Sequence, residues 1–215
     1  MIPIFGGIAS AISGALSSVL SVVKTLLPTI LKIVGPALEK LGKAFESFFK
    51  ELGLIEKGDK VEEIGDRALQ AEQDELQPIK LEDFDSHEKY LKAIKEYEIN
   101  PEKSALTTTD DKLHKALEIL LGMAIAQYGK SMADFGAIVM NNPEFYSQFG
   151  RLVEFANLAK TDKQTFEEVI NYMESKSMST EKNDAAFDKL VEMEKKVNPD
   201  ASDVEVWTAV GDMKK

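Results

Sequence analysis

The two histidines come closest, by type and spacing, to a catalytic or metal-binding arrangement. Asp83 stands four residues before His87, and Asp111 stands three residues before His114. At helical spacing a carboxylate and an imidazole share one face, where they could bind a metal ion together. Each pair, however, stands in a charged stretch near a predicted helix start, and neither has a second histidine nearby. We therefore expect both histidines at the surface and predict no metal site.

Other signatures of catalysis or cofactor binding are missing from the sequence. The chain contains no cysteine, which excludes thiolate catalysis, disulfides and cysteine-based metal sites. It has no Gly-x-Ser-x-Gly elbow, no Walker loop, no dinucleotide fingerprint and no His-Glu-x-x-His sequence. The acidic run Glu82–Asp85 lacks the glycine and the final glutamate of a calcium-binding loop. The sequence therefore predicts a protein that is not an enzyme and needs no cofactor.

The elements that would position any such site are predicted to be helices. Apolar residues recur at intervals of three and four, for example along one long predicted helix, Leu113–Val139. Capping boxes predict helix starts at Asp85, Thr161 and Ser202. No stretch shows the alternation of a strand, and no hairpin turn sequence occurs. The predicted fold is all-α: an acidic multi-helix bundle with an apolar N-terminal helical arm.

The composition divides the chain into three predicted parts. Residues 1–53 are an apolar and amphipathic helical arm, 54–78 a solvent-exposed helix and linker, and 79–215 an acidic helical body. Residues 1–54 carry a net charge of +2, so the remaining residues carry −13 to give the total of −11. An acidic body repels phosphate backbones, and the arm has no dense basic cluster. We therefore expect no nucleic-acid partner.

The arm begins with a run that has no charged side chain, from Met1 to Val23. After it, apolar residues alternate at intervals of three and four up to Gly53, as in an amphipathic helix that Pro36 begins. Such a surface suits either lipid or another helix. The residues predicted to make this contact are Ile4, Phe5, Ile8, Ile12, Leu16, Leu20, Val23, Leu31, Val34, Leu38, Leu41, Phe45, Phe48 and Leu52.

The arm leaves two main functions open. In the first, the protein is a non-enzymatic membrane-associating or membrane-inserting protein that acts through residues 1–53, as a secreted effector, a pore-forming factor or a phage-delivered protein would. We favour this function because a charge-free run of this length is unfavourable in water. In the second, the protein is a structural or adaptor subunit of a virion or a secretion machinery, and the arm packs on another protein or on a second copy.

Two further expectations concern the arm's processing and the body. No positively charged region precedes the apolar run, so the sequence does not predict a cleaved signal peptide, and we expect a soluble body that associates with membranes.

A third possible function is small-molecule binding or catalysis, with the helix Leu113–Val139 as one wall of a pocket.

Overall fold

The computed structural model describes residues 19, 22, 23 and 25–214, and within them it contains helices and no strand. The predicted all-α multi-helix bundle is therefore confirmed. Residues 25–30 are helical, and a 3-10 turn occupies Leu81–Asp83. The α-helices from residue 35 onward are α1 (Gly35–Leu52), α2 (Val61–Glu72), α3 (His87–Glu96), α4 (Pro101–Leu106), α5 (Thr109–Tyr128), α6 (Lys130–Asn141), α7 (Pro143–Tyr146), α8 (Arg151–Thr161), α9 (Lys163–Met173), α10 (Thr180–Val197) and α11 (Asp203–Asp212).

Residues with strong backbone preferences begin and end some helices where the sequence predicts. Pro36 lies in the first turn of α1, and Gly53 ends this helix with a left-handed φ of 79°. At the start of α11, the Ser202 hydroxyl accepts a hydrogen bond from the Glu205 backbone N–H. The Glu205 carboxylate in turn accepts one from the Ser202 backbone N–H, so this capping box is confirmed.

Two other predicted N-caps are wrong by one residue. Ser86, rather than Asp85, caps α3, and its hydroxyl accepts a hydrogen bond from the backbone N–H three residues later. Asp162, rather than Thr161, caps α9 in the same way. In each case both neighbours are good cap residues, so residue type does not decide between them.

The long helix predicted from Leu113 to Val139 is two helices, α5 and α6. They meet at Gly129, which has a φ of 83°, a conformation that side-chain-bearing residues rarely adopt. Apolar side chains on both sides of Gly129 face the same core, so the helical period continues across the break. The period alone therefore did not reveal the turn.

One hydrophobic core joins the described part of the arm to the rest of the chain, from Val19 to Met213. Near its centre, the Phe135 ring of α6 lies 5.8 Å from the Phe48 ring of α1 and 4.6 Å from the Phe155 ring of α8, centroid to centroid. Residues on both sides of the predicted boundary at residue 53 thus share this core. The three-part division itself stays a prediction.

The prediction that α2 is solvent-exposed is wrong. Of all the helix pairs in the described part of the chain, α2 and α5 make the most extensive contact. A Cβ atom on Gly65 would lie 1.7 Å from the carbonyl oxygen of Lys112, so only glycine permits this approach. Beside it, the buried Asp66 carboxylate lies 3.0 Å from the Lys112 Nζ. The apolar residues that α2 buries are Val61, Ile64, Ala68 and Ala71.

Candidate functional site

The described part of the arm is attached to the start of α5. The Nε2 atom of His114 lies 2.9 Å from the carbonyl oxygen of Ile33, and the Gly35 backbone N–H donates a hydrogen bond to Asp110 at 2.9 Å. These two contacts hold the turn that precedes α1 against the first two turns of α5. The described residues of the arm that precede this turn and belong to it bury five apolar side chains: Val19, Val23, Leu26, Ile30 and Ile33.

The structure separates the predicted contact residues of the arm into three groups. Those that lie outside the described residues are Ile4, Phe5, Ile8, Ile12, Leu16 and Leu20. Those that are buried in the protein's own core, each at most 4% exposed, are Val23, Leu38, Leu41, Phe45, Phe48 and Leu52. The two that are exposed are Leu31, at 51%, and Val34, at 57%.

The prediction of an outward-facing contact surface on α1 is therefore corrected for its five stripe residues, Leu38 to Leu52. The apolar face of α1 packs mainly on α8 and α5. A heptad stripe shows that one face of a helix is buried, but it does not show which surface covers that face. Among the described residues, no helix is long and apolar enough to cross a bilayer.

A cleft of about 780 Å³ lies between the described end of the arm and three helices. We call it the His87 cleft. It is formed by the start of α3, the second half of α5 and the start of α6, with Gly129 at the junction. The polar residues that line it are Asp85, Ser86, His87, Glu88, Gln127 and Lys130. The apolar residues that line it are Val19, Val22, Leu54, Met123, Ile125, Ala126 and Ala133.

His87 is a buried ionisable side chain on the wall of this cleft. It is 5% exposed, and among the described residues neither ring nitrogen has a hydrogen-bond partner. Gly122 of α5 makes room for the ring, since a Cβ atom there would lie 3.3 Å from the His87 Nε2. Burial lowers the pKa of His87 below its usual 6.5, so the imidazole is neutral at pH 7. A neutral imidazole offers one hydrogen-bond donor and one acceptor.

The prediction that both histidines lie at the surface is wrong, since His87 and His114 are 5% and 8% exposed. Each stands near the start of a helix whose face packs on the core, while Asp83 and Asp111 remain exposed. The two acids that the sequence pairs with the histidines, Asp83 and Asp111, therefore do not accompany the rings into the core. Within the described residues, no group of three or more side chains has the arrangement of a metal site.

A second buried polar group, which the sequence analysis missed, joins α8 to α10. The Arg151 guanidinium donates two hydrogen bonds to the Glu194 carboxylate, at 2.6 and 3.0 Å, and lies 3.6 Å from the centroid of the Phe145 ring. Each buried charge has the other as its partner, so the pair serves to join the two helices. Residues separated by 43 positions form it, and no local pattern signals such a pair.

Comparison of this chain with family models, curated proteins and solved structures gave no match.

Proposed function

We propose that this protein is a non-enzymatic membrane-associating protein that contacts lipid through its N-terminal residues. The observation that carries this proposal is the run from Met1 to Val23, which has no charged side chain. Moving apolar surface from water into lipid is favourable by about 25 cal/mol per Å². A run of this composition therefore favours a bilayer interface over exposure to water.

The packing of α1 supports a division of roles within the arm. Because Leu41, Phe45 and Phe48 are fully buried, α1 attaches the preceding residues of the arm to the rest of the molecule, and its apolar face is not available to lipid. Leu31 and Val34 are exposed on either side of Lys32, which is also exposed. Apolar side chains beside a lysine suit the level of the lipid headgroups, where the ammonium stays hydrated. The proposed lipid contact therefore comprises residues 1–18 and the exposed turn at Leu31 and Val34.

Flotation of the full-length protein with phosphatidylcholine vesicles tests this proposal. We expect the unmodified protein to float with the vesicles. The double substitution Ile8→Asp and Ile12→Asp places two charges in the apolar run, and we expect it to reduce the floated fraction at least tenfold. The substitution Leu31→Asp, at the exposed turn, should give a smaller reduction.

The matched control adds the same charges at exposed helical positions away from the arm, Ala105→Asp with Ala185→Asp. This control should float like the unmodified protein. If the Ile8 and Ile12 variant floats as well as the control does, the arm does not mediate lipid binding and the proposal fails.

A second candidate function is that of a structural or adaptor subunit, and the surface of α11 favours it. Val204 and Trp207 stand one turn apart on this helix and are 69% and 56% exposed. Exposed apolar pairs of this kind are common at sites of protein contact. This function predicts a discrete oligomer without lipid, with a blue shift of the emission from Trp207, the single tryptophan. A monomer by light scattering at high concentration would contradict self-assembly.

A further inference from the structure

We infer that the His87 cleft is a binding site for an uncharged amphiphile, an aliphatic chain that carries one hydroxyl group, with the hydroxyl directed at His87. This inference is independent of the proposed membrane association. It rests on the size and lining of the cleft, on the buried imidazole and on the charges at the rim.

The size and lining of the cleft favour an aliphatic ligand. Its volume of about 780 Å³ is within the range of about 300 to 1,000 Å³ that is usual for small-molecule sites. Seven apolar side chains line it beside six polar ones, and the apolar ones come from the arm, from Leu54 after α1, and from α5 and α6. Covering these walls with an alkyl chain removes apolar surface from water on both partners.

The imidazole of His87 specifies the polar group of the ligand. Among the described residues, the Tyr146 hydroxyl is the only fully buried side-chain nitrogen or oxygen atom without a hydrogen-bond partner, so the nitrogens of His87 are not sealed from the cleft. A ligand hydroxyl can therefore take the place of water as the hydrogen-bond partner of this ring. In either neutral tautomer the ring has one nitrogen that donates and one that accepts. A hydroxyl group both donates and accepts, so it complements whichever nitrogen faces the cleft.

The charges around the cleft select against ionised ligands. Three charged side chains line the cleft, Asp85, Glu88 and Lys130, and all three are exposed, while Lys89 pairs with Asp85 at 2.6 Å. Because water screens exposed charges, none of the three provides a desolvated counter-ion for a ligand anion or a ligand cation inside the cleft. An uncharged head group is therefore favoured over either ion.

Titration of the full-length protein with decan-1-ol and with decanoate tests the inference. Binding is followed by calorimetry and by the NMR signals of the two histidine rings. The ring of His114 is the internal reference, because it contacts the Ile33 carbonyl oxygen and does not line the cleft. We expect decan-1-ol to shift the His87 signals and leave those of His114 unchanged. Decanoate should bind at least tenfold more weakly.

Two variants distinguish this site from adventitious binding. His87→Phe keeps an aromatic ring and removes the hydrogen bond, so the dissociation constant for decan-1-ol should rise about tenfold. Ala126→Trp fills the cleft from an exposed position and should abolish binding. The matched control is Ala185→Trp on the exposed side of α10, which should bind like the unmodified protein.

Four results would overturn the inference: no binding of decan-1-ol, binding of decanoate as tight as that of decan-1-ol, unchanged binding in Ala126→Trp, or unchanged binding in His87→Phe. Circular dichroism establishes that each variant is folded. Because His87→Phe replaces a buried polar ring with an apolar one, it keeps the inference testable if the tryptophan variant fails to fold.

Discussion

At the scale of single residues, the two histidines show how different environments give one side chain different roles. The ring of His114 lies within hydrogen-bonding distance of the Ile33 carbonyl and so joins the arm to α5. The ring of His87 has no such partner within the described residues and faces a cleft. The same residue type is thus part of a structural contact in one place and a candidate ligand-binding group in the other.

Protonation of His87 should make the stability of the protein depend on pH. Because burial lowers the pKa of His87 in the folded state, the unfolded chain binds the proton more tightly. The free energy of unfolding should therefore be highest above the unfolded pKa of about 6.5 and fall as the pH drops towards the folded value. The slope from this one group is at most about 1.4 kcal/mol per pH unit.

Urea unfolding at pH 7.5 and pH 5, with the unmodified protein and His87→Phe, measures this contribution. The difference between the two proteins isolates His87 from the carboxylates, which titrate in both. We expect the unmodified protein to lose more stability on acidification than the variant does. Equal losses would show that His87 is no less basic in the folded state than in the unfolded chain.

At the scale of elements, the close crossing of α2 and α5 depends on a glycine. The Lys112 carbonyl oxygen occupies the space that a Cβ atom on Gly65 would need. The residues of α2 form only a weak apolar stripe and include many charges, a pattern that is typical of an exposed helix. In the structure, α2 packs on α5, and its buried Asp66 forms an ion pair with Lys112 of that helix.

The substitution Gly65→Ala should separate α2 from α5 and lower the free energy of unfolding by about 3 kcal/mol or more. The obstructing atom belongs to the backbone of α5 and cannot move aside as a flexible side chain can. The control is Gly58→Ala, where nothing lies within 4 Å of the new Cβ and little change is expected. A thermal unfolding comparison decides, and equal effects of the two substitutions would contradict the close crossing.

At the scale of the whole molecule, charge is distributed unevenly between the arm and the rest. Residues 1–54 carry +2, and the remaining residues carry −13. If the N-terminal residues contact a bilayer, the acidic remainder is held near the same surface. Electrostatic repulsion between the acidic residues and anionic headgroups then opposes binding. Salt at 0.1 M screens this repulsion at distances beyond about 10 Å.

We therefore expect the full-length protein to bind zwitterionic phosphatidylcholine vesicles more tightly than vesicles containing phosphatidylglycerol at low ionic strength. Added sodium chloride should narrow this difference, because it screens the repulsion. Flotation at 10 and 200 mM salt with both vesicle types measures it. Preferential binding to the anionic vesicles at low salt would mean that the lysines of the arm, rather than its apolar run, govern association.

The sequence by itself determined the fold class and several helix ends. The fold class follows from the helical period of the apolar residues, which is a local pattern. The helix ends follow from a few neighbouring residues with strong backbone or capping preferences: Pro36 and Gly53 at α1, and Ser202 with Glu205 at α11. The period also identified the buried face of α1 correctly. It could not show that the protein's own helices cover that face.

The tertiary structure alone decided which surfaces meet and which polar groups are buried. The contact of His114 with Ile33 joins residues 81 positions apart, and the crossing at Gly65 and the His87 cleft likewise bring distant segments together. Whether a charged helix is exposed, or a histidine is neutral, depends on what packs over it. That packing is a property of the whole core, and no pattern of neighbouring residues encodes it.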